Sequence, residues 1–83
     1  MKLRYFAWVR EQIGRPEEEV ELPEGVETVG DLVRWLKTRG EEYGAAFEHE
    51  KVVRAAIDRV HVKPAARLEG ASEVAFFPPM TGG

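Results

Sequence analysis

The sequence closes on Pro78-Pro79-Met80-Thr81-Gly82-Gly83, and this segment offers the most distinctive chemistry in the chain. A terminal glycine presents an α-carboxylate with no side chain beside it. Paired glycines tolerate almost any φ/ψ, so they can thread a narrow cleft and leave the carboxyl unhindered. The prolines fix φ at the base of the segment. Six residues extend to at most about 20 Å, far enough to enter another protein's active site.

The side chains offer little competing chemistry. The chain contains no cysteine, which excludes disulfides, thiolate metal sites and a cysteine nucleophile. His49 and His61 are isolated from each other and from any spaced carboxylate set, so no metal site is expected. Glu17-Glu18-Glu19 reads as solvated charge, because strand alternation divides it between two faces. Trp8 and Trp35 read as packing residues rather than as a stacking platform. The sequence holds no P-loop, no Gly-x-Gly-x-x-Gly and no nucleophile elbow.

Eighty-three residues form one domain, with 43% hydrophobic and 33% charged residues, as in an ordinary globular protein. The net charge of −3, with no basic stripe to offset it, argues against nucleic-acid binding. No apolar run is long enough to be a signal peptide core or to span a bilayer, so no membrane association is expected and the cytoplasm is the simplest location.

The elements that must carry the terminal segment follow from hydrophobic period. Leu3 to Trp8 alternates, with Leu3, Tyr5 and Ala7 on one face and Arg4, Phe6 and Trp8 on the other; this reads as a strand covered on both sides. Glu18 to Leu22 alternates again and suggests a hairpin with the first strand. Thr28 is a strong N-cap with Asp31 three residues on, and Val29, Leu32, Val33 and Leu36 make one apolar helical face. Gly40 fits the stop after that helix. Glu41 to Glu50 reads as a shorter helix presenting Tyr43, Ala46 and Phe47. Val53 to Ile57 and Val60 to Val62 read as strands joined at Asp58-Arg59, Leu68 as a buried anchor, and Glu73 to Phe77 as the last strand.

The order predicts an α+β, β-grasp (ubiquitin-like) fold. It has a mixed sheet of about five strands, with one main helix and a second short helix on one face. The first and last strands should lie parallel in the middle. Residues 1–77 form the domain and 78–83 an extended, flexible C-terminal tail. The sheet face away from the helices would then display Phe6 and Phe77, and exposed aromatics of this kind mark interfaces.

The stretch Lys2-Leu3-Arg4-Tyr5-Phe6-Ala7 with Val9-Arg10-Glu11, and the ending Glu73-Val74-Ala75-Phe76-Phe77-Pro78-Pro79-Met80-Thr81-Gly82-Gly83, resemble the MoaD-type sulfur carriers, the small subunits of molybdopterin synthase. The final Gly-Gly is common to ubiquitin-like carriers; the Phe-Phe-Pro-Pro root narrows the resemblance. It implies that the chain is an acyl carrier rather than a complete enzyme. An ATP-using, ubiquitin-activating-type adenylyltransferase would adenylate the Gly83 carboxylate, and a sulfurtransferase would supply the sulfur for a thiocarboxylate. That sulfur would pass to a cyclic pyranopterin precursor within a heterotetramer of two small and two large subunits. Gly83 would be the reacting residue and Gly82 would give it access. Phe6, Arg10, His61, Phe77, Pro78, Pro79, Met80 and Thr81 would bind partners. No cofactor is expected to be bound stably, ATP being used by the activating enzyme. Two other readings stay open at this level: a ubiquitin-like carrier or modifier serving thiamine synthesis, tRNA thiolation or protein conjugation, and a ubiquitin-like binding module with an inert tail.

Overall fold

A computed structural model describes residues 1–79, and the elements run β1 (Lys2–Tyr5), α1 (Ala7–Ile13), β2 (Glu17–Glu19), α2 (Val29–Lys37), α3 (Glu41–Ala46), β3 (Arg54–Ile57), β4 (Val60–Val62) and β5 (Glu73–Phe77). The five strands form one sheet in the order β2-β1-β5-β3-β4. β1 and β5 pair in parallel, with Leu3 opposite Val74 and Tyr5 opposite Phe76. The other pairings are antiparallel. This is the expected β-grasp, with the first and last strands side by side.

One face of the sheet is covered. Leu3, Tyr5, Val74 and Phe76 are buried against Val9 and Ile13 of α1, Leu32 and Leu36 of α2, and Phe47 after α3. The Phe76 ring stacks on Tyr5 at 6.3 Å between centroids and meets Phe47 edge-on at 5.1 Å, geometries that match the aromatic quadrupole. α2 begins with the expected reciprocal cap: Thr28 Oγ1 accepts the Asp31 amide at 3.1 Å, and an Asp31 carboxylate oxygen accepts the Thr28 amide at 3.2 Å. Val29, Leu32, Val33 and Leu36 of this helix are buried, as the period requires.

The second strand is Glu17–Glu19 rather than Glu18 to Leu22, and the shorter helix ends at Ala46 rather than Glu50; three further expectations change. The first strand stops at Tyr5 rather than Trp8. The Phe6 amide still donates to the Phe76 carbonyl at 3.0 Å, but Ala7 takes φ 51° and turns the chain into α1. Val9 and Ile13, four apart, are the buried face of this helix. The strand is therefore covered on one side only, and Trp8 is 37% exposed instead of packed inside. Second, Gly40 does not stop α2: Thr38 is its C-cap, while Gly40 has an extended φ of 165° and precedes α3. The left-handed glycine stop belongs to α1, where Gly14 has φ 89° and its amide donates to the Arg10 carbonyl at 2.8 Å.

Third, Glu18 is not solvated. Its side chain is 6% exposed and sits where β2, α3 and the end of α2 converge. One carboxylate oxygen accepts the Tyr5 hydroxyl at 2.8 Å and the Tyr43 hydroxyl at 2.6 Å. The other accepts Arg39 at 3.0 Å and Arg15 at 3.4 Å. The Arg39 guanidinium lies 5.3 Å from the Trp35 ring and 5.0 Å from the Tyr43 ring. Burial pushes the Glu18 carboxyl upward, but the hydrogen bonds from Tyr43, Tyr5 and Arg39 outweigh it and hold the group below the ordinary range. Burial and the neighbouring carboxylate push both phenols above their usual values, Tyr5 the more strongly.

Candidate partner-binding face

Strand alternation decides what the uncovered face carries. Because Leu3, Tyr5, Val74, Phe76 and Ala55 point into the core, their neighbours Arg4, Glu73, Ala75, Phe77, Arg54 and Ala56 point away from it. The register lines these up. Arg4 lies opposite Ala75, Ala75 opposite Ala56, and Ala56 opposite His61, so one row crosses four strands. The two alanines give the row a low centre. In the next row Phe77 lies opposite Arg54.

Larger side chains wall this floor. The His61 and Phe77 rings are 5.0 Å apart with a 51° tilt. At the β1 side the Arg4 guanidinium lies 5.4 Å from the Phe6 ring centroid and 3.9 Å from a Glu73 carboxylate oxygen. Phe6 is 39% exposed, His61 is exposed and Phe77 is half-buried. Two phenylalanines, a histidine and an arginine around a low apolar floor form a surface that excludes water when a partner covers it.

Phe77 also ends β5, which is held on both sides by β1 and β3. A third restraint comes from the β3–β4 turn. Asp58 and Arg59 take φ 47° and 73°, the two left-handed positions of a tight hairpin turn. This conformation aims the Asp58 carboxylate at the start of β5, where it accepts the Ser72 amide at 3.0 Å and the Glu73 amide at 2.9 Å. The Asp58 amide in turn donates to the Glu73 carbonyl at 3.1 Å. The strand that leads into the tail is thereby pinned at its beginning.

The sequence-predicted residues fall as follows. Phe6, His61 and Phe77 share the uncovered face. Arg10 is exposed on α1, one turn beyond Phe6, and its amide donates to the Phe6 carbonyl at 3.3 Å. Pro78 and Pro79 are half-buried and follow directly on Phe77. The assignments to Met80, Thr81, Gly82 and Gly83 lie outside the described residues. Sequence reasoning missed Arg4 and Asp58. The alternation that selected Phe6 also selects Arg4, and an Asp in a two-residue hairpin turn is the signal for Asp58. Among the described residues no three His, Asp or Glu side chains converge as a metal site, and no helix is long and apolar enough to cross a membrane.

Comparison with known proteins gives this architecture a context. The ThiS family matches residues 3–83. The chain is 34% identical to the molybdopterin synthase sulfur carrier subunit of Caenorhabditis briggsae, over 100% of this chain and 96% of that one. It is also 34% identical to the protein of the same name from Escherichia coli K12, over 100% of this chain and 99% of that one. Among solved structures, a Pyrococcus furiosus protein named as a candidate molybdopterin converting factor subunit 1 has a TM-score of 0.72 at 33% identity, covering 94% of each chain. The family match over residues 3–83 and the two full-length relatives at 34% identity agree: this chain belongs to the ThiS family.

Proposed function

We propose that this protein is the sulfur carrier subunit of a molybdopterin synthase and that the carboxyl of Gly83 is its reacting group. The observation that carries this reading is the family match, which spans residues 3–83. Relatives named as sulfur carrier subunits of that synthase align over the whole chain and support the same reading.

The chemistry then follows from the carboxylate. It is a poor acyl donor because oxide is a poor leaving group. An ATP-using activating enzyme joins it to AMP and releases pyrophosphate; a sulfur nucleophile provided by a sulfurtransferase then attacks the acyl carbon. The C–O bond to AMP breaks, a C–S bond forms and a thiocarboxylate remains. In the synthase the thiocarboxylate sulfur is transferred to the cyclic pyranopterin precursor: water cleaves the acyl C–S bond, the sulfur stays with the precursor and Gly83 returns to a carboxylate. The large subunit supplies the acid and base groups. Phe6, Arg10, His61 and Phe77 hold the partner, while Pro78 to Gly82 deliver the terminus. The reaction belongs to the cytoplasm and to a heterotetramer of two small and two large subunits.

Intact mass of the protein from its native cells tests the reading. The expected result is a population heavier by the difference between one sulfur and one oxygen, which disappears when Gly83 is deleted. Its absence while synthase activity persists overturns the proposal, as does full activity after one residue is added beyond Gly83.

A further inference from the structure

A cleft lies on the helix-covered side of the sheet, opposite the Phe6–Phe77 face. Where α2 lifts from the β3–β4 edge, this cleft of about 520 Å³ opens into the core. Its floor is Val29, Val33, Val53, Ala55, Val62 and Phe76; Val29, Val33, Ala55 and Phe76 are themselves core residues, each less than 9% exposed. The volume falls within the range of small-ligand sites, roughly 300–1,000 Å³.

The rim has a different character. Arg34, Lys51 and Lys63 line it against one carboxylate, Glu50, in a chain whose net charge is −3. Arg34 is paired with Asp31. Neither lysine has an ion-pair partner among the described residues. The two lysines that line the cleft are thus available to an anion whose apolar part enters it.

From this combination we propose that the α2–β3–β4 cleft binds a free, small amphipathic carboxylate, its aliphatic or aromatic body against Val33, Val62 and Phe76 and its anionic group between Lys51 and Lys63. The site is separate from the Phe6–Phe77 face and does not depend on the chemistry of Gly83.

Amide chemical shifts of the full chain, titrated with octanoate, 1-octanol and acetate, test the proposal. Octanoate should move the amides of residues 29–34, 53–55 and 62–63 and leave those of Phe6 and Phe77 in place. Acetate, the charge without the body, should move none of them, and octanol, the body without the charge, should bind more weakly. The double variant Lys51→Gln/Lys63→Gln, on the surface and outside the core, should weaken octanoate about fivefold and leave octanol unchanged. Raising the salt should do the same. Val62→Phe should block both. Equal affinity for octanoate and octanol, indifference to the lysine variants, or shifts centred on Phe6 and Phe77 would overturn it.

Discussion

Phe76 and Phe77 are consecutive residues of one strand, alike in chemistry and opposite in use. Phe76 is 1% exposed, between the Tyr5 and Phe47 rings. Phe77 is half-buried on the uncovered face, against His61 alone among the aromatic rings. One peptide unit separates a side chain that holds the fold from one that a partner can use. A sheet covered on one side only produces this division: the covered face supplies stability, and the uncovered face is left free for recognition.

The pair itself gives the largest test. Phe76→Ala removes a fully buried ring and should cost about 3–5 kcal/mol of stability, read as a loss of well over 10 °C in the melting temperature. Phe77→Ala should cost about 1 kcal/mol or less, yet reduce affinity for the synthase large subunit by tenfold or more. If both variants lose stability alike, the two faces are not divided in this way.

Glu18 sharpens the covered side. Glu18→Ala leaves the Tyr5 and Tyr43 hydroxyls and Arg39 without their acceptor and should cost about 2–3 kcal/mol, measured by denaturant unfolding. The pH dependence has a definite sign. The folded carboxyl titrates below its ordinary value of 4.5, so its contribution is present above that pH and is lost as pH falls through the depressed folded value. The phenols titrate above their ordinary value of 10.0 in the folded state. Their contribution is complete below pH 10 and is lost as pH rises beyond it. Glu18→Gln should flatten the acid limb of the stability profile, a change that no uncovered-face variant should reproduce.

The same comparison explains what was legible in the sequence. β5, α2, α3 and the β3–β4 hairpin were readable because each carries its own local signal: alternation, a reciprocal cap, an apolar helical face, a turn dipeptide. Their placement followed from the parallel pairing of the two most apolar strands. α1 was hidden because Phe6 and Trp8 continue the alternation of β1 by size while the backbone has already turned at Ala7. Val9 and Ile13, only four residues apart, are too short a pattern to outweigh it. The Glu18 cluster was illegible for a different reason. Its main partners Arg39 and Tyr43 lie 21 and 25 residues away, and nothing within a local window distinguishes a clasped glutamate from its solvated neighbours Glu17 and Glu19. On the uncovered face, parity identified Phe6 and Phe77, and the resemblance added Arg10 and His61, but the Asp58 clamp needed the fold.

That clamp ties the β3–β4 turn to the start of β5 and ranks next in size. Asp58→Ala removes the acceptor for the Ser72 and Glu73 amides and places a less tolerant residue at φ 47°. The expected cost is about 1–2 kcal/mol. Asp58→Asn, which keeps one acceptor and the left-handed tolerance, should recover most of it. Faster hydrogen exchange at Ser72 and Glu73, with the remaining sheet amides unchanged, would locate the loss at the start of β5.

The smallest effect has the opposite sign and tests the corner that carries the chain past Phe6. Ala7 holds φ 51° with its side chain exposed, a conformation that costs a non-glycine residue roughly 1–2 kcal/mol. Ala7→Gly relieves that cost and gives back about 0.5–1 kcal/mol through the greater freedom of the unfolded chain. The net gain is about 0.5–1 kcal/mol, a few degrees in melting temperature. Ala7→Val, β-branched at the same φ, should destabilise. Because no core contact changes, partner affinity should follow the corner and not the stability. If Ala7→Gly stabilises the fold while weakening partner binding, the strained residue serves to fix the direction of Phe6. If both improve together, the corner is a cost of joining β1 to α1 and nothing more.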